Sequence, residues 1–210
     1  MYAALHGALL IAVAILMWTP SLAAQQLIDR VMARVNGYAI TLSDVRAAVG
    51  LGVVEVPAGQ DAEQAGLQAV IDRQLMEQEV ARFPPPEPEA SAIASQLERQ
   101  KAFAGSRFAT VVQSSGLSDA AMRELARQTL RIRAYLDQRF GASAQVSDQD
   151  AQEYFKSHPD EFRRNGVPMS FDEAEPLARE RAAAERRTNA IAQWVRDLRT
   201  RAEVVMPAHR

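Results

Sequence analysis

The chain has 210 residues, 24 basic against 26 acidic side chains, a formal net charge of −2 and no cysteine. Disulfide frameworks and thiolate chemistry are excluded, and the near-neutral balance argues against a strongly electrostatic grip on nucleic acid or an anionic membrane. A chain of this length without disulfides must stand on its hydrophobic core, and one domain is the prior.

The first segment reads as an export signal. Ala8 to Trp18 is an apolar run of eleven, followed by Thr19-Pro20 and then Ser21-Leu22-Ala23-Ala24. The run has the length of an h-region, Pro20 breaks it, and Ser21 and Ala23 are the small residues required before a cleavage site. We expect a signal peptide over residues 1–23, a periplasmic product and no stable membrane insertion after cleavage. The n-region holds no Lys or Arg, so an N-terminal anchor in the inner membrane is the alternative. Its apolar stretch, Tyr2 to Trp18, lies at the lower limit for a span.

Two alternating runs flank Asn36-Gly37, the strongest short signal for a hairpin with a type I′ turn. A two-residue turn there sets Val35 against Tyr38, Ala33 against Ile40 and Val31 against Leu42 on one face, and Arg34 against Ala39 and Met32 against Thr41 on the other. Thr41 and Asp44 have the spacing of a capping box, which predicts a helix over about 44–49. Helices follow over 61–83, with Leu67, Val70, Ile71, Leu75 and Val80 on one face, over 89–103 on Ile93 and Leu97, and over 106–114 on Phe108, Val111 and Val112.

The cleanest pattern comes next. Met122, Leu125, Thr129, Ile132, Leu136 and Phe140 recur every three or four residues between Ser118 and Gly141. Ser147 with Asp150 caps a short helix through Lys156, and Ser170 with Glu173 caps a long one to about Arg201 carrying Leu177, Ala184, Ile191, Val195 and Leu198, with Trp194 beside them. Glu203 to Met206, stopped by Pro207, is a short strand that returns to the hairpin. The predicted fold is mainly α, a multi-helix domain over 24–210 with a small sheet made by the N-terminal hairpin and the C-terminal strand. Its N-terminal part spans 28–162, a short linker 163–169, and the closing helix and strand 170–206.

In this order the elements resemble the SurA family of periplasmic chaperones and its relatives PpiD and PrsA. The matching stretches are Val35 to Thr41, Leu67 to Leu75, Gly116-Leu117-Ser118, Val146 to Asp150 through Tyr154 and Phe162, and Trp194 to Ala202 leading into Val204. The resemblance implies an ATP-independent chaperone for unfolded envelope or outer-membrane polypeptides, held in a groove between the N-terminal helices and the final helix. It implies no cofactor. Relatives commonly carry a parvulin-type prolyl isomerase domain at the position of Arg163 to Met169, where seven residues fall far below the roughly 50 a domain needs. We therefore expect no enzyme activity; the alternatives are a peptidyl-prolyl isomerase and an adaptor for one dedicated envelope partner.

A chaperone needs apolar surface that stays accessible, and Met76, Phe103, Phe108 and Trp194 are the candidate client contacts. Core packing is the competing expectation for these residues, and the stronger one for Leu136, Ile191 and Leu198. His6, His158 and His209 are too scattered to suggest a metal or catalytic set, so no catalytic, metal or cofactor residue is assigned. The seven arginines between Arg179 and Arg201 interleave with Glu and Asp, which reads as a solvated, ion-paired face with no nucleic-acid partner.

Overall fold

The computed structural model describes residues 29–141 and 145–207; the expected signal at 1–23, with His6, and His209 lie outside the described residues. The fold is mainly helical with one small antiparallel sheet closing the N-terminal hairpin onto the C-terminal strand.

Strands β1 (Val31–Val35) and β2 (Tyr38–Thr41) are joined at Asn36 and Gly37, whose φ angles of 49° and 85° are those of a type I′ turn. Val35–Tyr38, Arg34–Ala39 and Ala33–Ile40 pair as the alternation predicts. Beyond them the register slips: Val31 opposes Thr41 and Met32 is left over as a bulge. The expected Met32–Thr41 and Val31–Leu42 pairs fail because Met32 is bulged out and Thr41 is already the N-cap of α1 (Leu42–Gly50), the Leu42 N–H donating instead to the Arg30 carbonyl at 2.8 Å. Thr41 and Asp44 complete the capping box, the Asp44 carboxylate accepting from the Thr41 N–H at 2.9 Å.

The far strand β5 (Val204–Val205) pairs with the other edge of β1, giving the order β2-β1-β5. Asn36 secures this junction. Its N–H donates to the Glu203 carbonyl at 2.8 Å, its Oδ1 accepts from the Glu203 N–H at 2.9 Å, and its Nδ2 donates to Gln78 Oε1 at 2.6 Å. Because Val204 is half-buried and Val205 exposed, β5 holds on by backbone bonds more than by apolar burial.

The helices α2 (Ala62–Arg82), α3 (Ala90–Ala104), α4 (Phe108–Ser115), α5 (Asp119–Phe140), α6 (Asp148–Ser157) and α7 (Phe171–Arg201) match the periodic segments within one or two residues at each end. Asp61 and Ser118 cap α2 and α5; capping boxes open α6 and α7. The main core joins Ala33, Val35 and Ile40 of the sheet to Ile71 and Leu75 of α2, Ile132, Tyr135 and Phe140 of α5, and Trp194 and Leu198 of α7. Helix α1 crosses α2 closely at Gly66, where a Cβ would lie 2.6 Å from Val49 Cγ2. On α3 the buried positions are Gln96, Gln100 and Ala104, with Ile93 and Leu97 only half-buried.

Helix α7 serves two cores. At about 1.5 Å per residue its 31 residues span roughly 46 Å. Its first half lays Ala174 and Ala178 against Phe162, Tyr154, Phe155 and Phe171, a smaller cluster with α6, and its last turns bury Trp194 and Leu198 in the main core. Residues 183–193 between them include no fully buried side chain, and Ala184, expected on the apolar face, is exposed. The segment 163–169, expected as a plain linker, contains a second hairpin: β3 (Arg163–Arg164) and β4 (Val167–Pro168) turn at Asn165 and Gly166 with φ of 52° and 81°.

Two expectations test this closure by thermal melting. Removing residues 203–210 strips the Asn36 bonds and the third strand, and should cost about 1–3 kcal/mol; an unchanged Tm would show that the ends do not stabilise each other. Trp194→Ala, which empties a site packed by Tyr135 and Phe140 at 5.7 and 5.6 Å between ring centroids, should cost about 3–5 kcal/mol.

Candidate functional site

The middle of α2 and the C-terminal halves of α5 and α7 come together but do not close completely. Between them lies a groove of about 920 Å³, with Val53 and Val54 after α1 at one end. Its apolar floor includes Met76, Leu136, Ile191 and Val195, all half-buried. The groove exists because the apolar stripes of α5 and α7 are wider than the seam they bury. On α5 the fully buried positions are Met122, Ala126, Ile132, Tyr135 and Phe140, which leaves Thr129 and Leu136 turned toward the opening.

Arginines hold the rim. Arg199 of α7 pairs with Asp72 of α2 and donates to Gln68, both its side chain and its carbonyl, each at 2.9 Å. Arg187 pairs with Asp137 of α5. Farther along α7, Arg179 and Arg186 reach Asp148 and Asp150 of α6 at 2.6 and 2.8 Å. The arginine run is thus largely a row of clamps between helices, where the sequence suggested pairs within one solvated face.

The four candidate contacts do not assemble. Met76 lies in the groove. Trp194 is 6% exposed and belongs to the core beneath it. Phe103 is 59% exposed at the end of α3, its ring covering Gly52, and Phe108 is half-buried on α4. Both are outside the groove lining. Leu136 and Ile191, expected in the core, pack against it half-buried and line the groove as well. The signal for this was a six-membered stripe on α5, more apolar positions than one seam can bury.

A second, smaller groove of about 410 Å³ lies along the adjacent face of α2, lined by Tyr38, Leu117 and Leu125 among apolar groups and by Asp44, Glu77 and Glu124. Arg73 of α2 lines both grooves. Its residue is 7% exposed, its Nε sits 2.9 Å from a Glu77 oxygen, and its Nη2 has no hydrogen-bond partner. Burial lowers the pKa of Arg73 and raises that of Glu77, so desolvation outweighs their attraction at both partners. An ion pair of this kind costs stability relative to an apolar replacement. The sequence carried one hint of it: Arg73 and Glu77 are four apart on a helix otherwise apolar along this face.

His158 stacks on Tyr154 at 4.1 Å and shares its Nδ1 between Ser157 Oγ and the Tyr154 carbonyl. Among the described residues no group of three or more His, Asp or Glu is placed to hold a metal, and no helix is long and apolar enough to cross a membrane. No protein-family model matches the chain, and no curated protein matches it.

The pair predicts its own mutational signature. Glu77→Leu alone leaves Arg73 buried and uncompensated and should cost about 3–5 kcal/mol, whereas Arg73→Met with Glu77→Leu should melt near or above the parent. Denaturant unfolding of the two variants reads the difference, and equal destabilisation of both would show that the pair contributes net stability.

Proposed function

We propose that this is an exported, ATP-independent chaperone or chaperone-like module that shields extended apolar segments of unfolded envelope polypeptides, outer-membrane proteins among them. The observation that carries the reading is the groove between α2, α5 and α7, whose floor of Met76, Leu136, Ile191 and Val195 remains half-exposed on a folded core. Apolar surface kept open in a concave site is a recurrent mark of polypeptide binding. Met76 adds an unbranched, polarizable side chain that adapts to varied partners. The ordered motifs of the SurA-like pattern support the same reading. Export rests on residues 1–23, and the absence of isomerase activity rests on the short hairpin segment at 163–169, where the resemblance leaves room for no inserted domain.

The test is light scattering of a β-rich client diluted from denaturant, with no nucleotide present. Protein comprising residues 24–210 should slow aggregation of several unrelated clients. It should also leave the cis/trans relaxation of a proline test peptide at its uncatalysed tens of seconds. Met76→Ser and Ile191→Ser should lower protection while Tm moves little, because both side chains are already partly solvated; Trp194→Ser should lower both together. Catalysed proline isomerisation, or loss of protection only in proportion to lost stability, would overturn the proposal.

A further inference from the structure

The charge of the large groove differs from that of the protein. Five arginines, Arg73, Arg133, Arg187, Arg196 and Arg199, line it against three carboxylates, Glu55, Asp72 and Asp137, and with Arg73 offset by its partner Glu77 one positive charge remains in excess on a chain whose net charge is −2. Two of the carboxylates are consumed by the Arg199–Asp72 and Arg187–Asp137 clamps. Arg133 and Arg196 are exposed at the rim with no ion-pair partner among the described residues, Arg196 donating only to the neutral Gln193. Independently, Arg73 is more than nine-tenths buried against the groove, and one of its terminal nitrogens is unpartnered. The groove on the adjacent face of α2 has the reverse balance, three carboxylates against Arg73 alone.

We infer that the large groove selects extended polypeptide segments in which apolar residues are flanked by Asp or Glu. The inference rests on the polypeptide-binding reading above and adds the chemistry of the occupant. The apolar side chains cover Met76, Leu136, Ile191 and Val195, and the flanking carboxylates meet Arg133 and Arg196 at the rim. The acidic groove on the adjacent face of α2 repels the same segment, so the charge pattern also decides which of the two grooves is used. Each rim pair is solvent-exposed and contributes modestly, which makes the effect a preference within apolar segments and not a requirement for charge.

The experiment uses fluorescein-labelled peptides of one apolar core flanked by two Glu, two Gln or two Lys, titrated with the protein of residues 24–210 and followed by anisotropy. The Glu-flanked peptide should bind about three- to tenfold tighter than the Gln-flanked one and the Lys-flanked one weaker still, with the spread shrinking in high salt. Arg133→Glu with Arg196→Glu should reverse the order of the Glu and Lys peptides. Both side chains are exposed, so an unchanged Tm certifies the fold of the variant. Equal binding of all three peptides, lost in Ile191→Ser, overturns the charge preference and leaves the polypeptide-binding reading standing. Binding of none overturns both. A concentration-dependent dimer of the unmodified chain, seen by light scattering and abolished by the double variant, would assign the groove to a second copy of this chain and overturn the inference.

Discussion

Strand β1 is the constraint on which the rest depends, because among the described residues it is the only strand with two neighbours, and they come from opposite ends of the described chain. A hairpin alone is marginal in water, and β5 is two residues long, so neither pairing is self-sufficient. Asn36 couples them. Its left-handed backbone makes the turn, its amide oxygen and N–H fasten Glu203, and its amide nitrogen reaches Gln78, which in turn donates to the Val35 carbonyl at 3.3 Å. One side chain thereby ties the turn, the returning strand and helix α2. Once β5 is held there, α7 is fixed at its C-terminal end, and Trp194 and Leu198 are committed to the main core.

Fixing α7 at one end and docking Ala174 and Ala178 on the α6 cluster at the other leaves the middle of the helix bridging two cores. A helix held at both ends cannot roll to bury its middle stripe without breaking one of the docks. Ile191 stays half-buried where the C-terminal dock begins, and Val195 and Leu136 stay half-buried beside the Trp194 core. Gly66 has a comparable local role: the crossing of α1 over α2 is too close for any side chain, since the extra methyl of alanine would gain roughly 1 kcal/mol of helix propensity but press into Val49.

Much of this was legible in the sequence, and the gaps have physical causes. Caps, helix spans and the two-ended sheet follow from local chemistry: Thr41 with Asp44, Ser147 with Asp150, Ser170 with Glu173, and Asn36-Gly37 all act within a few residues. Asn165-Gly166 has the same turn chemistry but flanks of only two residues, too short to show alternation. What periodicity could not supply was depth. It put Leu136, Ile191, Leu198 and Ala184 on apolar faces alike, yet they end as groove, groove, core and solvent, because depth depends on which neighbour arrives and how far each helix is tethered. Trp194 illustrates the same limit in reverse: an aromatic suited to client contact is enclosed by Tyr135 and Phe140, which lie more than fifty residues away.

An apolar groove in water tends to collapse, and the arginine clamps explain why this one need not. Arg199–Asp72 and Arg187–Asp137 bridge α7 to α2 and to α5 across the opening, so closing the groove further would require those guanidinium groups to be desolvated or displaced. Exposed pairs of this kind contribute little stability, typically under about 1 kcal/mol each, but their side chains set a minimum separation between helices. Beneath them the Trp194 core resists movement in the opposite direction. The opening is therefore bounded on one side by tightly packed side chains and on the other by hydrated charges, two boundaries with different temperature and salt dependence.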